Sequence, residues 1–150
     1  MTDAALLLAA LLALSRPPAE IRRRLDARRD AIVAQAARAA DAHGVPVGLL
    51  LVVAFLESHV GQDRGSGGCW GAPASPRRRN VAGTAAHSAR ALARSFEVCG
   101  GASWLRAVTR YRSGRCVFRR RLVGYEAPYA IGLVARVYQQ AGLPPPPGLR

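Results

Sequence analysis

Apolar positions open the chain in one block. Met1 to Leu14 reads MTDAALLLAALLAL, and Arg16-Pro17-Pro18 ends it because consecutive prolines cannot continue a helix. The block reads equally as the apolar core of a signal peptide or as an ordinary first helix capped by Thr2 or Asp3; Asp3 stands where basic residues normally precede a signal core. It is too short to span a bilayer as a helix. From Ala19 to about His43, Ile21, Leu25, Ile32, Ala36 and Ala39 recur near a 3.6 period. Arg22, Arg23, Arg24, Arg28, Arg29 and Arg38 fill the other face. This predicts one amphipathic basic helix within 19–44, stopped by Gly44.

Pro46 can open the next helix, and Leu49 to Leu56 is unbroken apolar sequence. Periodicity alone does not separate helix from buried strand here. The helical length from Pro46 to His59, with no alternating strand partner nearby, selects a buried central helix. Gly61 to Arg79 is rich in Gly, Ser, Pro and Arg and has no period, which predicts a long loop. Helical spacing returns in Ala85, Ala89, Leu92 and Phe96, then in Trp104, Leu105, Val108 and Tyr111. A last helix carries Tyr129, Leu133, Val134, Val137 and Tyr138, closed by Gly142-Leu143-Pro144. Residues 143–150 form a proline-rich tail with no core of its own. The pattern is that of a mainly α domain without internal repeats.

Composition limits the partners. With 150 residues, half of them apolar, the chain suffices for one domain with a real core. Its 22 basic residues are all Arg, against nine acids, for a formal charge of +13. A GC-rich coding bias accounts for Arg in place of Lys but leaves the charge, which favours anionic surroundings. The triplets Arg22–Arg24, Arg77–Arg79 and Arg119–Arg121 are dispersed, and no recognition motif frames them, so nucleic acid is a weak candidate. His43, His59 and His87 are scattered and no Cys spacing suits zinc, so a metal site is not expected.

Glu57 is the residue that points to chemistry. It follows eight apolar residues near the C-terminal end of its helix. Apolar neighbours and the helix dipole both disfavour its charged form there, which suits a general acid. Downstream, Gly65-Ser66-Gly67-Gly68-Cys69-Trp70-Gly71 combines flexible backbone with an indole, which either offers a flat face to a sugar or fills the core. Tyr111-Arg112-Ser113-Gly114 ends a helix with a phenol that either hydrogen-bonds the carboxylate or packs as a core aromatic.

In this order and separation, the stretch from Val45 to about Tyr138 resembles the soluble lytic transglycosylase catalytic domain, a relative of goose-type lysozyme. Val45-Pro46-Val47-Gly48 through Leu56-Glu57-Ser58 is similar to the family's apolar helix ending in Glu-Ser. Gly68-Cys69-Trp70-Gly71 is similar to the start of its Gly-Ala-x-Gly-Leu-Met-Gln segment, and Asn80-Val81-Ala82-Gly83 to its Asn-x-x-x-Gly stretch, shifted by one residue. Trp104 to Gly114 resembles the Ala-Leu-x-x-Tyr-Asn-x-Gly element, and Tyr129 and Val134 stand where a closing Tyr-and-Val helix is expected. Four positions in two places depart: Ala72-Pro73-Ala74 replaces Leu-Met-Gln, and Arg112 replaces Asn.

The resemblance implies a lysozyme-like helical fold with a long groove-lining loop. It also implies cleavage of the β-1,4 bond between N-acetylmuramic acid and N-acetylglucosamine in peptidoglycan glycan strands, with a 1,6-anhydro product and no cofactor. Glu57 and Tyr111 would be catalytic. Ser58, Gly68, Cys69, Trp70, Gly71, Arg112, Gly114 and Tyr129 would contact substrate. Asp63 could serve a hydrolytic variant, although loop Asp residues are usually turn formers. The competing classes are a non-catalytic wall-binding or secretion-apparatus accessory domain and, less favoured, a basic nucleic-acid binder. A monomer is expected.

Three Cys leave at least one thiol without a partner in the chain. Cys99 and Cys116 flank the Trp104–Tyr111 helix, and a short return through Ser113-Gly114-Arg115 would bring them together, leaving Cys69 as the odd thiol. The alternative is three reduced thiols. A bridge would imply an oxidising compartment, periplasmic or extracellular, and would favour the signal-like reading of the N-terminus.

Overall fold

Helix periods dominated the sequence, and helices are what forms. The computed structural model describes residues 1–63, 70–71, 84–117 and 124–149. Among these there are seven α-helices and no strand: α1 (Asp3–Ser15), α2 (Ala19–Ala27), α3 (Arg29–His43), α4 (Val47–Ser58), α5 (Ala85–Val98), α6 (Trp104–Ser113) and α7 (Ala127–Ala141). No described helix is long and apolar enough to cross a membrane. The long loop expected over Gly61–Arg79 lies mostly outside the described residues.

The core is built around α4. Leu49 to Ala54 are wholly inaccessible, so the helix is buried on every side rather than along one stripe. Helices α1, α3, α5 and α7 surround it. Gly48 sets the closest approach: a Cβ there would run into the Tyr138 ring of α7, and the Gly48 N–H donates to the Tyr138 hydroxyl at 3.3 Å. Gly48→Ala is expected to destabilise the domain by about 1–3 kcal/mol through overpacking. A denaturant midpoint unchanged from wild type would show that Tyr138 moves aside freely.

The N-terminal block folds as the first core helix. Thr2 caps it, accepting from the Ala5 N–H, and Arg16 ends it in the left-handed region. Leu7, Leu8, Leu11 and Leu12 are buried against the rest of the domain.

Two elements differ from expectation. The single helix expected over 19–44 is two, divided at Arg28 (φ −114°, ψ 11°). Leu25 on α2 and Ile32 on α3 both reach the core. They stand seven residues apart, so their spacing keeps a helical period across the break and conceals it. The proline-rich tail is also not detached. Leu149 packs against the core, and the Gly148 carbonyl accepts from the Trp104 N–H at 2.6 Å, which satisfies a donor at the start of α6. Trp104 in turn stacks on Phe96 of α5, with ring centroids 4.1 Å apart.

Candidate active site

The site begins where α4 leaves the core. Ser58 closes the helix: its hydroxyl donates to the Ala54 carbonyl and accepts from the Gly61 N–H at 2.8 Å. The chain then reverses through His59 (φ 47°) and Val60 (φ 56°), two consecutive non-glycine residues in the left-handed region. For a β-branched residue this backbone is strained, and such strain persists only where the surroundings over-determine it. Here Val60 is 1% exposed, the Gln62 amide donates to its carbonyl, and Arg24 of α2 reaches across to the Gln62 carbonyl at 3.0 Å. The tight reversal leaves Glu57 at the end of a rigid helix. Asp63 lies in this turn with its carboxylate 2.6 Å from His59 Nδ1.

Three separate elements meet at Glu57. Its side chain is 11% exposed. Glu57 Oε1 accepts from the Tyr125 hydroxyl at 2.8 Å, from the segment leading into α7. The same oxygen faces Arg112 Nη1 of α6 at 3.4 Å. The Arg112 guanidinium also lies over the Tyr125 ring, 4.3 Å from its centroid, in cation–π contact. Both donors converge on Oε1, and among the described residues none hydrogen-bonds Oε2. Tyr125 was not anticipated from the sequence. It stands outside the periodic stretch of α7, so no helical face marked it; the only local signal was an aromatic placed just before a helix start.

Tyr111 lies beside this group but makes no hydrogen bond to Glu57. Its hydroxyl packs over Gly71, where any Cβ would strike it, next to the buried Ser88 hydroxyl. Burial, and secondly the nearby Glu57 charge, push the Tyr111 pKa up to about 12. Burial and then Glu57 raise Tyr125 likewise, and burial raises Tyr138.

The folded state keeps these phenols protonated to higher pH than the unfolded chain does. Their contribution to stability is therefore complete below about pH 10, and that of Tyr111 is lost as the pH rises towards about 12. With no Lys in the chain, few other groups titrate in this window. Melting temperature should accordingly fall above about pH 10, and less steeply in Tyr111→Phe. Equal slopes in the two proteins would show that Tyr111 is not held protonated.

The other expected substrate contacts are placed as follows. Arg112 joins the Glu57 group, and Gly71 lies against the Tyr111 hydroxyl beside it. Trp70 is 4% exposed and belongs to the core cluster, the second of the two fates open to it. Ser58 is engaged in the helix end. Gly114 caps α6 in the left-handed region (φ 76°). Tyr129 is 54% exposed on the first turn of α7, with no described bond to Glu57. Gly68 and Cys69 lie outside the described residues, as do Ala72–Ala74, Asn80–Gly83 and two arginine triplets, Arg77–Arg79 and Arg119–Arg121. Cys99 and Cys116 are joined in a disulfide with Cα atoms 5.5 Å apart, tying the end of α5 to the chain just beyond α6. Among the described residues no cluster of His, Cys, Asp or Glu could hold a metal ion.

Set against protein-family models, curated proteins and solved structures, the chain matches none.

Proposed function

We propose that this is a lysozyme-like peptidoglycan lytic transglycosylase in which Glu57 serves as both acid and base. The observation that carries the reading is the Glu57 carboxylate: it ends a buried helix, is anchored through one oxygen by Tyr125 and Arg112, and has no described partner on the other. In the first step the protonated carboxyl gives its proton to the oxygen linking N-acetylmuramic acid C1 to N-acetylglucosamine, and the C1–O bond breaks. The carboxylate then takes the proton of the muramic acid 6-hydroxyl as that oxygen bonds to C1. One proton leaves Glu57 and one returns, and the product is the 1,6-anhydro sugar. Neither water nor cofactor enters.

Ordinary glycosidases require a second carboxylate beside the first. Of the other carboxylates that could serve, Asp63 pairs with His59 and Glu97 with Arg94, and Glu126 stands at the N-terminus of α7 with no described bond to Glu57. This supports lyase over hydrolase chemistry. The formal charge of +13 suits an anionic wall. The Cys99–Cys116 bridge is consistent with an oxidising compartment outside the cytoplasm.

A second reading, a non-catalytic wall-binding domain, draws on the Arg112–Glu57 ion pair, since a carboxylate kept only for structure would be paired in the same way. Digestion of purified sacculi with mass analysis of the soluble products separates the two. Anhydro-muropeptides support the transglycosylase, and reducing ends would indicate a hydrolase. Binding without release supports the second reading, and neither binding nor release overturns both.

A further inference from the structure

We infer, on the reading of Glu57 as the acid/base, that Arg112 is a positioning residue that fixes the carboxylate through Oε1, so that Oε2 alone carries the proton in both half-reactions. The family resemblance implies that Arg112 contacts substrate. Its surroundings point inward instead. Its side chain is 16% exposed, Nη1 faces Glu57 Oε1, and the guanidinium covers the Tyr125 ring. Nη2 lies against Gly124, where a Cβ would sit 3.0 Å away and where φ is +94°. Glycine at that position thus serves two ends: it adopts a backbone other residues resist, and it lets the segment close over the guanidinium. Arg112 is in this way wrapped by the same short segment whose next residue, Tyr125, hydrogen-bonds Glu57. A planar, permanently charged group can face a carboxylate oxygen and lie on an aromatic ring at once, which the shorter, neutral Asn could not do.

The consequence is mechanistic. An acid that later acts as base on the same sugar needs one oxygen aimed at C1 throughout. Rotation about the carboxyl bond would exchange the two oxygens and carry the proton away from the glycosidic oxygen. With Oε1 held by two donors from two different elements, that rotation is opposed. Misplacement of a catalytic group by about 1 Å can cost about 100-fold in rate, so loosening this hold should appear in turnover and not in substrate affinity.

The test compares wild type, Arg112→Asn, Arg112→Lys and Tyr125→Phe on peptidoglycan. Arg112→Asn is expected to lower kcat by roughly 10- to 100-fold with KM nearly unchanged. Arg112→Lys, which keeps the charge, should recover part of the loss. The double variant Arg112→Asn/Tyr125→Phe should lose less than the product of the single losses, because both groups act on one oxygen. A rise in KM at constant kcat would make Arg112 a substrate contact and overturn the inference, as would unchanged kinetics in a folded variant. A readout independent of turnover is the NMR shift of the Glu57 side-chain carboxyl carbon. It should move in Arg112→Asn and return towards wild type in Arg112→Lys; an unmoved shift means that Arg112 does not hold the group. If wild type releases nothing from peptidoglycan, the proposed activity falls, while the carboxyl shift still decides whether Arg112 positions Glu57.

Discussion

Glu57→Gln is expected to lower the release of anhydro-muropeptides by about 1,000-fold while leaving the helical fold in place. The magnitude follows from the loss of proton transfer in both steps, because an amide can neither protonate the leaving oxygen nor take the 6-hydroxyl proton. Glutamine is the informative replacement because it nearly matches the carboxylate in shape. Its carbonyl oxygen can still accept from the Tyr125 hydroxyl and from Arg112, so the partners of the 11%-exposed side chain stay satisfied. Alanine would instead remove a carboxylate partner from the largely buried Arg112 charge and confuse lost chemistry with lost stability. The checks are circular dichroism and thermal melting beside the digestion assay. Wild-type turnover by a folded Glu57→Gln protein would remove Glu57 from the chemistry altogether.

The helices were legible because each one carries its signals locally. Gly44, Gly114 and Gly142 all cap helices in the left-handed conformation, where stop signals were read in the sequence. The apolar run before Glu57 became the most buried helix, since an element without a polar face has to be surrounded. What was not legible depends on contacts distant in sequence. The turn at Arg28 preserves the helical spacing of Leu25 and Ile32, so no local pattern betrays it.

The site divides in the same way. Glu57 was legible as a candidate because the apolar run before it marks a buried helix whose end it occupies. Tyr125 donates to it from 68 residues away, and nothing in the order of residues around Gly124-Tyr125-Glu126 announces that contact. In the sequence Tyr111 reads as a helix-end phenol that either bonds the carboxylate or packs as a core aromatic. It does approach Glu57, but its hydroxyl packs over Gly71, and the direct bond comes from another tyrosine. Arg112, singled out as a departure from a familiar pattern, takes part in the site by pairing with Glu57 itself.

Breaking the disulfide should have the largest effect on stability. The bridge encloses α6 between residues separated by 17 positions, and cross-linking a loop of that size restricts the unfolded chain by about 3 kcal/mol. For a domain of this length that corresponds to a fall in melting temperature of roughly 6–12 °C. The measurement compares wild type and Cys99→Ala/Cys116→Ala with and without a thiol reductant. Wild type should melt lower when reduced. The double variant should melt low in both conditions, since Cys69 alone has no partner within the chain. Activity per folded molecule should fall as well, because Cys116 fixes the chain four residues beyond Arg112 and the reduced protein loses that anchor. A reductant shift of equal size in the two proteins, or none in either, would mean that the bridge does not stabilise the fold in solution. If unreduced peptide mapping instead showed Cys69 joined to either partner, α6 would be free at its C-terminal end, and Arg112 would lose the anchor that the bridge places four residues beyond it.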